Sequence, residues 1–195
     1  MDFEKQTHQS NFNINLNILN RWSPRSMTGE EIPHEDLMAL FEAARWAPSA
    51  FNNQPWRFIY AKRNSPEWDR LFGLLVEFNQ TWAKDAAVLV VVISRSKAEH
   101  KEADYPTHAF DTGSAWENLA IEAVSRGLVT HAMAGFDYEK ARSELEIPDV
   151  FEVMAMFAIG KQGPKESLPQ ELQEREKPAD RKELSEIMME GKFKK

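Results

Sequence analysis

Nine residues, Ala86 to Ser94 (AAVLVVVIS), constrain the fold more than any other stretch of this chain. The run is β-branched and apolar at both odd and even positions. A strand half-exposed to water alternates apolar and polar residues; a strand covered on both faces does not. The run therefore predicts a central strand with helices on either side. Val150 to Ile159 repeats the pattern and predicts a second buried strand, and Arg57 to Ala61 (RFIYA) and Leu128 to Ala134 read as further strands.

Helices are expected between them. Pro33 suits a first turn, with Glu35 and Asp36 at the positive end, so a helix is predicted to about Trp46. Ser65-Pro66-Glu67 reads as a helix start, with Trp68, Leu71, Phe72, Leu75 and Phe78 on one face. A third helix carries Trp116, Leu119, Ala120, Ala123 and Val124, and Gly127 stops it. Asp137 caps a fourth, ending near Leu145. Asn11 to Asn20 alternates like a strand, yet Leu16 and Leu19 also suit a helix. Arg95 to Pro106 is a charged loop. Residues 1–10 are expected to be flexible, with a single domain over 11–195. Lys161 to Asp180, charged and proline-containing, reads as an arm crossing a surface, and a short helix or strand follows from Arg181.

Composition narrows the function. At 195 residues the chain can bury roughly 70% of its unfolded surface without staples. With no cysteine there is no disulfide, thiolate nucleophile or iron–sulfur cluster, which fits a cytoplasmic protein. A net charge of −7 without a basic block argues against nucleic acid and anionic membranes as partners. No apolar stretch is long enough to span a bilayer, and the first twenty residues do not resemble a signal peptide. Neither GxGxxG after a strand nor GxxxxGK[ST] occurs.

Two polar clusters remain. Arg21-Trp22-Ser23-Pro24-Arg25 sets two forked guanidinium groups and a hydroxyl on a turn, which suits a phosphate; a solvated basic turn is the alternative. Ala47 to Trp56 (APSAFNNQPW) packs Ser49, Asn52, Asn53 and Gln54 between two prolines where a helix gives way to a strand. Such groups can read the edge of a heterocycle, or satisfy their own backbone. The histidines show no metal-binding spacing. His100, Asp104, His108 and Asp111 could share a helix face, but Pro106 interrupts it, and helix-start capping is the alternative. His131, within a short strand, reads as a core histidine.

In this order the two clusters resemble the nitroreductase family of FMN-dependent NAD(P)H oxidoreductases. The resemblance continues through WAKDAAVLVVV, FDTGSAWENLAIEAVSRGL, THAMAGFD, VFEVMAMFAIGKQG and DRKELSEI, from about Leu16 to Phe193. It implies an α+β fold with a mainly antiparallel central sheet flanked by helices, in an intertwined homodimer whose C-terminal arm (about 161–195) crosses to the partner. It implies FMN as cofactor, bound through Arg21, Trp22, Ser23 and Arg25. Pro48, Ser49, Ala50 and Asn52 would reach the partner's flavin. Asn79 would meet the pyrimidine edge, and Ala134 and Gly135 flavin N5 and O4. Arg181 and Lys182 would close the phosphate site.

NAD(P)H and a small acceptor, such as a nitroaromatic or quinone, would use one site in turn. No side chain is needed as a strong acid or base, because the flavin carries the chemistry. A flavin-storing or sensing protein without turnover is the alternative. Two departures bear on specificity. Trp82 stands where a lysine near the ring is common, and Arg95 to Pro106 replaces a larger helical excursion. The preferred nicotinamide and the acceptor stay open.

Overall fold

A computed structural model describes residues 8–99 and 102–193. The expectation for residues 1–7 lies outside the described part. Helix α1 spans Leu16–Asn20 and α2 His34–Arg45; strand β1 spans Trp56–Lys62; α3 spans Trp68–Phe72 and α4 Glu77–Ala83. Strand β2 spans Val88–Arg95, α5 His108–Ser125, β3 Val129–Met133, α6 Tyr138–Glu144 and β4 Phe151–Gly160; α7 (Gln170–Gln173) and α8 (Leu184–Ile187) follow.

The sheet runs β1-β2-β4-β3 with every pairing antiparallel. The β-branched run is central, as its two-sided hydrophobicity requires. Val88, Val90 and Val92 face α2 and α5, packing with Leu37, Leu40, Leu119 and Phe157. Leu89, Val91 and Ile93 face the other layer, with Leu71, Trp82, Met133 and Met156. The period-2 pleat thus divides one apolar strand between two cores. The register shifts between Val92 and Ile93.

Local signals hold at several ends. The side chain of Asn15 caps α1 by accepting from the Asn17 N–H, which resolves the ambiguous segment as a short helix after irregular chain. Asp137 caps α6, accepting from the Lys140 N–H at 2.9 Å. Gly127 ends α5 at φ 71°, in the left-handed region where glycine is unstrained.

One expectation fails. The helix read from Ser65 through Phe78 is two helices, α3 and α4. Between them the Val76 N–H donates to the Gly135 carbonyl and the Asp137 N–H to the Leu74 carbonyl, so the chain leaves the helix to pair with residues far away in sequence. Leu75 is buried at that bridge, while Phe78, expected on the shared apolar face, is exposed.

The segment after β4 first packs against its own chain. The Gly163 N–H donates to the Ser26 carbonyl, the Thr28 N–H donates to the Lys161 carbonyl, and Leu168 and Leu172 are buried in the core beside α3 and α4. From 179 to 188 every residue is exposed. No helix among the described residues is long and apolar enough to cross a membrane.

Candidate functional site

The RWSPR turn begins where α1 ends, with the Arg21 N–H donating to the Asn17 carbonyl. Its backbone is fixed from a distance: one carboxylate oxygen of Glu176 accepts from both the Arg25 and Ser26 N–H groups, each at 2.8 Å. The packing of Leu172 brings Glu176 there, so the segment after β4 builds the turn it lies against. Arg21 reaches Ser23 Oγ at 3.4 Å and Glu117 at 3.8 Å. Burial raises the Glu117 carboxyl above its ordinary pKa, against the lowering effect of the Arg21 charge.

These residues form one wall of a cavity of about 400 Å³. Arg21, Trp22, Ser23 and Arg25 line one side; Arg175, Lys177, Ala179 and Arg181 line the other, with His131 between them. Five cationic side chains thus converge on one cavity in a chain of net charge −7. Such a concentration of like charge is costly unless an anion neutralises it. Arg25 Nε is buried with no hydrogen-bond partner among the described residues, an unmet donor at the edge of the cation cluster.

His131 projects from β3. Its ring lies 4.6 Å from the indole of Trp82, and its Nδ1 is 3.1 Å from the Pro24 carbonyl. Burial first, then the Arg25 charge, brings its pKa down to about 4; the backbone partners Pro24 and Ser23 oppose the shift, and Arg21 adds to it. The ring is therefore neutral near pH 7 and, facing a carbonyl, donates from Nδ1. It supports the RWSPR backbone without adding a sixth charge.

The structure places Asn79, Ala134 and Gly135 together beyond β3. Asn79, 9% exposed, donates from Nδ2 to the Gly135 carbonyl at 2.9 Å and accepts from Trp82 Nε1 at 3.3 Å. A Cβ on Gly135 would stand 2.7 Å from Asn79 Nδ2 and 3.1 Å from Val76 Cγ2. The close approach that demands glycine here is thus made by this chain's own Asn79 and Val76. Trp82 is core.

The APSAFNNQPW loop lies outside the cation cavity. Ser49 Oγ accepts from the Gln54 N–H, Asn53 Nδ2 donates to the Ala50 carbonyl, and Gln54 Nε2 donates to the Asn52 carbonyl. The self-satisfying reading of the loop is thus met at three of its polar residues. Ser49, Asn53 and Gln54 stabilise the loop itself, while the Asn52 side chain makes no hydrogen bond within the described residues and Phe51 is 96% exposed.

Arg175, Lys177, Ala179 and His131 are the cavity residues that sequence reasoning missed; Lys182 is not among the lining residues. Nothing in EREKPAD marks two of its charges as site residues, because the convergence depends on Leu168 and Leu172 anchoring the chain. The histidine–aspartate group does not come together among the described residues: Asp104 pairs with Lys97, His108 with Ser94, and Asp111 with Ala50 and Tyr105. His100 lies outside them.

Similarity to known proteins bears on the family and the fold. A model described as the nitroreductase family matches residues 18–161. A solved structure titled "The crystal structure of the oxidoreductase containing FMN" is 42% identical, with a TM-score of 0.93 over 98% of both chains. An uncharacterized 15.4 kDa protein of Mycolicibacterium smegmatis is 35% identical over 63% of this chain and 82% of its own length. A protein of Thermus thermophilus named NADH dehydrogenase is 27% identical over 73% of this chain and 83% of its own.

Proposed function

The chain belongs to the nitroreductase family, and from that premise we propose that it is an FMN-dependent oxidoreductase passing a hydride from NAD(P)H to a small acceptor of the quinone or nitroaromatic class. The observation that carries this reading is the five-cation cavity with the unmatched Arg25 Nε at its edge. A phosphate dianion satisfies the first feature, and the polar edge of a heterocycle the second. The relative with 98% mutual coverage is titled as containing FMN.

When bound, FMN supplies the exchange of hydride at its N5 position. Every other task belongs to the chain. Arg21, Ser23 and Arg181 hold the phosphate and its linker, and Arg175 and Lys177 add charge from the opposite wall. Arg25 meets the ring edge and favours negative charge there, the lever by which a protein shifts a flavin's potential. Neutral His131 keeps the Pro24 carbonyl, and with it the turn, in place. Asn79, Ala134 and Gly135 close the side beyond β3. Pro48, Ser49, Ala50 and Asn52 face the flavin of a second copy, which fits their place outside this chain's own cavity. The exposed residues beyond Arg181, 182–188, are the part of the C-terminal arm left to reach that copy.

Donor and acceptor occupy one place in turn, so initial-rate plots at several fixed donor concentrations are expected to be parallel; intersecting lines would refute a shared site. The direct test is the visible spectrum of the purified chain, with FMN added if necessary, followed by NADH or NADPH without oxygen. Bleaching of a flavin spectrum is the expected result. A flavin that stays oxidised with both nicotinamides points to storage or sensing, and failure to bind FMN overturns the site.

A further inference from the structure

The backbone of the APSAFNNQPW loop is unusual. Phe51, Asn52 and Gln54 have φ of 53°, 56° and 48°, the left-handed region that side chains other than glycine occupy at a cost. Such a turn persists only where its surroundings over-determine it. Here Ala50, immediately before it, is held at both backbone polar groups. Its N–H donates to Asp111 Oδ2 at 3.1 Å, and its carbonyl accepts from the Tyr105 hydroxyl at 3.0 Å. The one proton of that hydroxyl is shared between this carbonyl and Asp111 Oδ2, and Thr107 Oγ1 is 3.4 Å from that oxygen. Asp111 is 4% exposed and Tyr105 5%.

This node joins three parts of the fold. Asp111 belongs to the first turn of α5. Tyr105 lies just ahead of α5 and returns to the end of β2, its N–H donating to the Ser96 carbonyl at 2.9 Å. The third part is the left-handed turn, which throws Phe51 almost wholly into solvent with Asn52 beside it. A carboxylate at this depth with no cationic partner among the described residues, set against backbone and hydroxyl donors, is expensive unless its hydrogen bonds are made.

We propose that Asp111 and Tyr105 are positioning residues: Asp111 holds the Ala50 N–H while Tyr105 braces both Asp111 and the Ala50 carbonyl, and together they fix how Phe51 and Asn52 are presented to the reacting face. The proposal rests on the reading that this loop covers the flavin of a second copy. Changes at Tyr105 would then alter acceptor selection without touching the phosphate cavity.

The test uses the full chain and three variants. Asp111→Ala removes the acceptor, Asp111→Asn keeps an oxygen at the same reach, and Tyr105→Phe deletes one hydroxyl. Hydrogen exchange at the Ala50 amide, read on the flavin-free protein, is expected to quicken about tenfold or more in Asp111→Ala and to stay near wild type in Asp111→Asn. With FMN bound at saturation and 1,4-benzoquinone as acceptor, KM is expected to rise about tenfold in Asp111→Ala, with kcat within about twofold of wild type. Tyr105→Phe follows in the same direction with a smaller change and stands in should Asp111→Ala fail to fold.

An unchanged Ala50 amide in both Asp111→Ala and Tyr105→Phe overturns the clamp. A faster amide with KM unmoved overturns its positioning role. Both results leave the functional reading intact where the wild-type chain binds FMN and is reduced by NAD(P)H. A wild-type chain that binds no FMN overturns that reading and the positioning role together.

Discussion

Removing the titration of His131 gives the sharpest test of the site's electrostatics. In the folded chain this ring takes its proton at about pH 4 rather than 6.5, because burial and the Arg25 charge oppose the imidazolium. The unfolded chain binds the proton near the ordinary value. Between the two, the unfolded state holds more protons than the folded one, so stability falls as pH falls. Above pH 6.5 the effect is absent; below pH 4 it is complete. At about 1.4 kcal/mol per pKa unit, the full loss is roughly 3 kcal/mol, and about 2 kcal/mol of it appears between pH 7 and pH 5. Urea unfolding of the wild-type chain and of His131→Gln at those two pH values isolates the term, since glutamine does not titrate and every other group is common to both. The wild type is expected to lose about 2 kcal/mol more than the variant on acidification. Inorganic phosphate should shrink that difference, because an anion among the arginines offsets the charge that disfavours the imidazolium. Equal pH dependence in the two proteins would refute the claim that the ring sits neutral under the arginines.

Arg21→Ala is expected to weaken FMN binding about ten- to a hundredfold while leaving the unfolding midpoint nearly unchanged, since it removes a charge-assisted contact at a cavity wall; titration of FMN fluorescence reads the first and urea the second. Gly135→Ala is expected to cost about 1–3 kcal/mol, because its methyl group would meet Asn79, and Asn79→Ala in the same chain should recover part of that loss. Leu119→Ala, at a fully buried position between α5 and the sheet, is expected to destabilise by about 2–5 kcal/mol in denaturant unfolding.

Much of the fold was legible residue by residue, because the signals concerned are local. The β-branched run from Ala86 to Ser94 states that both faces of its strand are covered. Asp137 and Gly127 mark helix ends whose geometry depends on one or two residues. The RWSPR turn was identifiable for a similar reason: two arginines and a serine at close spacing already form a donor set, wherever the turn goes. The one helix misread there shows the limit. Leu71, Leu75 and Phe78 keep helical spacing, yet the chain breaks at residues 74–76, because the backbone of Leu74 and Val76 finds partners at Asp137 and Gly135. Local periodicity holds no information about a pairing sixty residues away.

The site divides in the same way. The amino-acid sequence by itself determined an apolar two-faced sheet, the helices that cover it, and an arginine-bearing turn suited to an anion. Only the tertiary structure decided that Arg175 and Lys177 face that turn, that Glu176 caps it, and that His131 stays neutral beneath it. It also decided that Asp111 and Tyr105 hold Ala50 from two other parts of the chain. Those residues carry ordinary charges in ordinary sequence surroundings. Their roles come from which groups burial brings within hydrogen-bond or Coulomb range, and that proximity exists only once Leu168, Leu172 and the central strands have packed.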